Sequence, residues 1–263
     1  MSTVAVVTGG SSGIGKCTAL ALAAKGCTVY ELSRRESEIP GITHISADVT
    51  KEEAVQAAID QILSREGKID ILINNAGFGI SGAVEFTEPQ NAKRLLDVNF
   101  FGMVNLCHAV IPHMRQAGSG RIVNLSSVAA VAPIPFQTYY SVSKSAVNTY
   151  TQALGIELRP FGISVCAVMP GDIKTGFTAA REKVILGDDI YDGRIGRSVR
   201  GMEKDEENGM SPEKAGSYIA KIALKKKGKP LYSIGFVYKF LTILIKILPA
   251  GLMNRIVGLL YAK

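Results

Sequence analysis

Six short runs of apolar, largely β-branched residues recur along the chain, and this recurrence restricts the fold more than any other feature. They are TVAVVTG from Thr3, CTVYELS from Cys27, ITHISADV from Ile42, IDILINNAG from Ile69, GRIVNLSS from Gly120 and ISVCAVMPG from Ile163. Between them the spacing predicts helices from Ile14 to Lys25, Glu52 to Ser64, Asn91 to Gln116 and Tyr139 to Leu158. Strands that are apolar nearly throughout must be covered on both faces, as in a parallel sheet with helices above and below. The expected fold class is therefore α/β, a doubly wound parallel sheet of Rossmann type in a single domain over residues 1–230. A chain of 263 residues with 47% hydrophobic content can fill the core of one such domain. The polar stretch from Asp188 to Ser211 reads as a lid or mobile loop, within a substrate lid over about 176–211.

Immediately after the first run comes Thr8-Gly9-Gly10-Ser11-Ser12-Gly13-Ile14-Gly15, which leads into the first helix. Glycines here let the backbone turn tightly and approach phosphates, while the free N–H groups of the following helix favour an anion. The alternative is a plain turn, but the placement between strand and helix favours a dinucleotide pyrophosphate at Gly9, Ser11, Ser12, Gly13, Ile14 and Gly15. The second run ends in Ser33-Arg34-Arg35, where a chain reading NAD usually carries an acid. A guanidinium suits a 2′-phosphate, so Ser33 and Arg34 favour NADP (NADPH) over NAD. Glu31, two residues earlier, could still reach a ribose under a different register.

The segment YYSVSKS places Tyr140 and Lys144 four residues apart, one turn of a helix on the same face. An ammonium near a phenol favours the phenolate, so the pair reads as an acid/base whose pKa the lysine lowers. Tyr139 has no such partner.

Taken in order, TGGSSGIG, NNAG at Asn74 to Gly77, DVNFFG around Asn99, NLSS at Asn124 to Ser127, YSVSK and PGDIKT at Pro170 to Thr175 resemble the short-chain dehydrogenase/reductase family from Thr3 to about Thr175. The neighbourhoods of SSGIG, Ser33-Arg34 and PFQTYYSVSK look most like the branch acting on hydroxysteroids, retinoids and similar lipophilic carbonyls. The resemblance implies catalytic roles for Tyr140 as acid/base, Lys144 as its pKa modulator and ribose holder, and Ser127 as partner of the substrate oxygen. It also implies that Asn99 fixes a water beside Lys144. Ser126 in place of Ser127, and backbone bonding by Asn99, are the alternatives. Further cofactor contacts implied are Asp48 and Val49 beside the adenine, Asn75, Ala76 and Gly77 along the ribose, and Pro170, Gly171, Ile173 and Thr175 near the nicotinamide. Asn74 reads equally as a turn former. Phe78, Val128, Pro133, Phe136 and the segment after Phe177 are expected in the substrate cleft. The expected activity is interconversion of an alcohol and a ketone or aldehyde on a lipophilic small molecule. Alternatives are a 3-oxoacyl thioester reductase and, from another class, a non-catalytic dinucleotide sensor or scaffold. The family also implies a homodimer or homotetramer through the helices at Asn91–Gln116 and Tyr139–Leu158.

Residues 221–263 hold nine Lys/Arg and no acid, so the net charge of +7 belongs to the tail. A basic, apolar tail on a near-neutral body points to a membrane surface or an acidic partner, and no nucleic-acid recognition motif accompanies it. The lysines at Lys225, Lys226, Lys227 and Lys229 are equally a solvated cluster. Ile234 to Leu248 is too short to span a membrane, which takes about twenty residues. Lys239, Thr242 and Lys246 share one stripe, so 231–263 is expected to form two amphipathic helices. Peripheral membrane contact, a cap over the cleft and an oligomer contact are the three readings. Cys17, Cys27, Cys107 and Cys166 lack metal-ligand spacing and read as free thiols in a reducing, cytoplasmic setting, with disulfides the weaker alternative. His44, His108 and His113 are assigned no chemistry and no metal site is expected. The start MSTVAVVTGG carries no secretory signal, so the mature chain is expected to begin there.

Overall fold

The computed structural model describes residues 2–225 and 228–262, with the side chain of Lys246 also left aside. The expectations at Lys226 and Lys227, and for the Lys246 side chain, therefore lie outside the described residues. In chain order the elements are β1 (Val4–Thr8), α1 (Gly13–Ala23), β2 (Thr28–Ser33), β3 (Ile42–Ser46), α2 (Glu52–Glu66), β4 (Ile71–Asn74) and β5 (Ile80–Ser81). There follow α3 (Pro89–Leu96), a π-helical turn (Asp97–Phe101), α4 (Gly102–Ala117), β6 (Gly120–Leu125), α5 (Thr138–Leu158) and β7 (Ile163–Pro170). The remainder comprises α6 (Phe177–Ala180), β8 (Glu182–Lys183), α7 (Arg194–Glu207), α8 (Pro212–Ala223), β9 (Leu231–Ile234), α9 (Phe236–Ile247) and α10 (Ala250–Tyr261).

Seven parallel strands form one sheet in the order β3-β2-β1-β4-β6-β7-β9. Alternation along each strand sends side chains to two separate cores. Val4, Val6 and Leu72 face α2, α4 and α5, whereas Ala5, Val7, Ile71 and Ile73 face α1 and α8. Because every strand runs the same way, the carboxyl ends of β1, β4, β6 and β7 share one edge. The chain order reverses between β1 and β4, which leaves a crevice there. Together α3, the π turn and α4 form a helix of 29 residues apolar enough to cross a membrane. Leu106, Cys107, Val110 and Met114 are fully buried in the core, however, so this is an interior helix of the domain.

Two expectations need correction. The stretch from Asp188 to Ser211 is built largely as α7, whose Ile195, Val199 and Met202 are buried at spacings of four and three. It is anchored at its end: Met210 N donates to the Asp172 carbonyl at 2.9 Å and Lys174 N to the Met210 carbonyl at 3.0 Å. The tail from 231 does not begin as a helix. Leu231–Ile234 is β9, paired in parallel with Ala167–Pro170, and two helices follow it. The four cysteines are free, and burial pushes the Cys107 thiol up to about 12 and that of Cys166 up to about 11.

Since β9 covers the edge of β7, a chain ended after Lys229 should melt several degrees below one ended after Gly235, as followed by circular dichroism. Equal melting temperatures would show that β9 contributes no stability.

Candidate active site

At the end of β1, the Gly-rich loop is held by side chains from the neighbouring strand. Thr8 Oγ1 accepts from the backbone N–H groups of Asn75 and Ala76, both at 3.0 Å. Asn75 Nδ2 donates back to the carbonyls of Thr8 and Gly9 at 3.0 and 3.1 Å. Gly9 has φ +63° and Gly13 φ +53°, conformations that L side chains rarely adopt. At Gly15 a Cβ would strike the Gly9 carbonyl oxygen and the Asn75 amide. The missing side chains leave a backbone cradle at the amino end of α1, the arrangement that receives a pyrophosphate.

Beside it, Glu31 is fully buried, and its carboxylate accepts from Ser33 Oγ at 3.2 Å and contacts Ser37 Oγ and His44 Nδ1. Ser33, Arg34 and Arg35 line the cleft instead. Asp48 accepts from Thr50 N and Oγ1 at 2.9 and 2.8 Å. Burial would raise the Asp48 pKa, but these hydrogen bonds and the nearby Arg34 charge hold it below the usual value.

Helix α5 carries Tyr140 and Lys144 across the end of β6. Lys144 is buried, and its Nζ donates to the Leu125 carbonyl at 2.8 Å. Nζ lies 5.7 Å from the centre of the Tyr140 ring. Desolvation pushes the Tyr140 phenol up to about 12, opposed by a hydrogen bond with Ser127 and by the Arg181 charge. Desolvation also brings the Lys144 ammonium down to about 8. The expectation that Lys144 lowers the Tyr140 pKa is thus corrected: the ammonium is turned to a carbonyl, and loss of water dominates both groups.

Ser126 Oγ donates to the Lys144 carbonyl at 3.1 Å, so its hydroxyl ties α5 to the loop, and Ser127 faces the phenol. Asn99, inside the π turn, binds both backbone groups of Phe78: Oδ1 accepts from its N–H and Nδ2 donates to its carbonyl, each at 2.9 Å. Its side chain therefore follows the backbone-bonding alternative, beside Gly77 and Lys144. Asn74 is structural, donating to Asn124 Oδ1 at 2.8 Å in the buried layer between β4 and β6.

Tyr140, Lys144, Ser126, Ser127, Arg34, Asp48 and the Gly-rich loop share one cavity of about 1050 Å³. Its wall includes Tyr140, Ser127, the Gly-rich loop, Phe177, Arg181 and, from the tail, Tyr238, Leu241, Val257 and Tyr261. The arrangement can hold a dinucleotide along the strand ends and present a phenol and a hydroxyl to one substrate oxygen.

The short chain dehydrogenase family model matches residues 3–184. The chain belongs to the short-chain dehydrogenase family. It is 45% identical over 227 residues to a 3-ketodihydrosphingosine reductase of Bacteroides thetaiotaomicron, covering 85% of this chain and 84% of that protein. A short-chain dehydrogenase structure from Streptomyces avermitilis superposes with a TM-score of 0.84 at 30% identity, over 97% of this chain and 96% of that one. A 3-ketoacyl-(acyl-carrier-protein) reductase from Brucella melitensis, complexed with NADH, gives a TM-score of 0.75 at 27% identity over 88% of this chain and 96% of that one. This short-chain dehydrogenase is accordingly an oxidoreductase that takes a nicotinamide dinucleotide, and the glycine cradle fits such a group.

Of the residues expected at the site, Gly9, Ser11, Ser12, Gly13, Ile14, Ser33, Arg34, Asp48, Val49, Asn75, Ala76, Gly77, Ser127, Tyr140, Lys144, Pro170, Gly171, Ile173 and Thr175 line the cleft of this short-chain dehydrogenase. Gly15 and Asn99 stand behind it, the first under the Gly9 carbonyl and the second under Phe78. Phe78 and Val128 are in the wall, but Pro133 is exposed and Phe136 turns at φ +60° onto Tyr191. Ala132, Ile134 and Gln137 take their places. Arg181 and Glu206 fall in the segment expected at the cleft without having been singled out, and sequence reasoning missed Asp172, Tyr238 and Tyr261. Tyr238 donates to Asp172, and the nearly inaccessible Arg181 pairs with Glu206. Only the tail carried a signal, since Tyr238, Leu241 and Ile245 repeat at three and four.

Lys144 has a folded pKa of about 8 against an ordinary 10.5, so below pH 8 the folded chain bears the cost of a buried charge. Stability then rises as pH climbs from about 8 to 10.5, where the unfolded chain holds more protons. Lys144→Met should melt a few degrees above the parent at pH 7, with the gap closing toward pH 10; a variant that melts lower at pH 7 would contradict this.

Proposed function

We propose that this short-chain dehydrogenase is an NADP(H)-dependent reductase of a keto group on a long-chain or similarly lipophilic molecule. The observation that carries this reading is that Ser127 and Tyr140 line one cleft beside buried Lys144, with the apolar tail in its wall. The cofactor would supply the hydride. Tyr140 keeps its proton at neutral pH and donates it to the carbonyl oxygen, while Ser127 hydrogen-bonds the same oxygen as negative charge develops. Lys144 offers its ammonium to the ribose hydroxyls. Asn99 clamps Phe78 and so fixes the loop along which Asn75, Ala76 and Gly77 meet the ribose.

Preference for the 2′-phosphate is supported by Arg34 in the wall and by the full burial of Glu31, whose Oε1 is taken by Ser33, Ser37 and His44 and whose Oε2 lies unpartnered beneath Gly10. The named relative is a 3-ketodihydrosphingosine reductase, and we extend a substrate of that kind to this cleft. An alkyl chain would meet Ala132, Leu241 and Val257, while the Asp172 and Glu206 carboxylates in the same wall are held by Tyr238, Thr178 and Arg181. The 3-oxoacyl thioester reading has the likeness to the Brucella protein in its favour. The apolar lining from the tail, Leu241 and Val257, suits the long alkyl chain of the first reading. The catalytic unit we propose extends past residue 230 to take in β9 and the tail helices that line the cleft, with the lid at 176–211. A cytoplasmic setting accords with the four free cysteines. A homodimer or homotetramer through the π turn with α4, and through α5, accords with exposed Phe101 on the first and Val142 and Ile156 on the second.

Tyr140→Phe should bind NADPH as the parent does yet lose turnover by about two to four orders of magnitude, measured by NADPH oxidation with a long-chain ketone. Unchanged turnover would remove Tyr140 from the mechanism. Arg34→Ala should lower kcat/KM for NADPH at least about tenfold and leave NADH little changed, since one charge-assisted contact is worth roughly that. Equal losses for both cofactors would place Arg34 away from the 2′-phosphate.

A further inference from the structure

The two tail helices are apolar on both sides. Their inner sides close the cleft: Tyr238, Leu241 and Ile245 of α9 pack with Val257 against Val128, Ala132 and Met169. On the outer side of α9, Phe236, Phe240, Ile243 and Ile247 repeat at spacings of four, three and four and are 89%, 63%, 59% and 73% exposed. At 100° per residue they fall within a sector of roughly 60°. Leu252, Leu259 and Leu260 continue the exposed apolar surface on α10. A contiguous row of this kind marks an interaction surface.

We propose that this outward face docks on an anionic lipid bilayer, so that the helices closing the cleft are seated on lipid. Charge selects the occupant. After β9 the sequence holds four Lys/Arg and no Asp or Glu, and of these Lys239 and Arg255 are exposed on the two helices. A second copy laid on this face would bring like charges together, whereas anionic headgroups supply the opposite charge. Length selects the mode. Each helix has 12 residues, about 18 Å, well short of a hydrocarbon core of about 30 Å, so the pair lies in the interface plane. This surface is separate from the hydride chemistry and stands without it.

The test is flotation of the full-length protein with phosphatidylcholine vesicles, with and without phosphatidylglycerol, beside the double variant Phe240→Glu/Ile243→Glu. The parent should float with the anionic vesicles, and less so at high salt. The variant should lose at least about tenfold of that binding while its circular dichroism, melting temperature and NADPH binding match the parent. A parent that stays at the bottom of the gradient, or a variant that floats equally, overturns the proposal. So does a parent oligomer that the variant splits, since the face would then belong to a second copy.

Discussion

A buried ammonium organises the cleft. Lys144 Nζ, donating to the Leu125 carbonyl at 2.8 Å, ties the first turns of α5 to the end of β6. Ser126 Oγ reinforces the same junction from the opposite direction by donating to the Lys144 carbonyl. With α5 fixed at that height, Tyr140 one turn earlier comes to face Ser127, the next residue after Ser126. The cost is the desolvation of a charge, visible in a Lys144 pKa brought down to about 8 and a Tyr140 pKa pushed up to about 12. A site that binds charge in a dry cleft accepts such a cost, since every electrostatic contact there is stronger than in water.

The parallel sheet makes this economy possible. Thr8, Asn74, Ser126 and Pro170 follow from four strands whose carboxyl ends coincide, so residues far apart in sequence meet without a long loop. The hydrogen bonds from Asn75 to Thr8 and Gly9 knit two of those ends across the crevice where the strand order reverses. The π turn at Asp97–Phe101 departs from regular helix where Asn99 must reach Phe78. Interruptions of this kind recur at functional sites.

Much of this was legible in the sequence because the strand ends are punctuated. Glycine, asparagine and proline stand where the backbone must turn or approach a ligand, and apolar runs stand where both sheet faces are covered. What was not legible depended on distance. The four residues of β9 carry too little pattern to separate from a helical tail, and pairing with β7 decides their state. In α7 the spacing of Ile195, Val199 and Met202 was present but masked by charged neighbours, so the segment read as a loop. Nothing local marks Arg181 or Glu206 as members of the cleft wall. The direction of Lys144 was also hidden: four-residue spacing places it near Tyr140 but does not say that Nζ turns to Leu125.

The central claim is that the cleft passes hydride to a lipophilic ketone while Tyr140 supplies the proton. It is tested most directly by giving the protein NADPH deuterated at the transferable position, together with a long-chain 3-ketosphingoid base, and locating the label by mass spectrometry. The account predicts one deuterium on the new carbinol carbon. Normal NADPH binding with no deuterium transferred to this ketone, to a 3-oxoacyl thioester or to a steroid ketone would contradict it and leave a dinucleotide-binding scaffold.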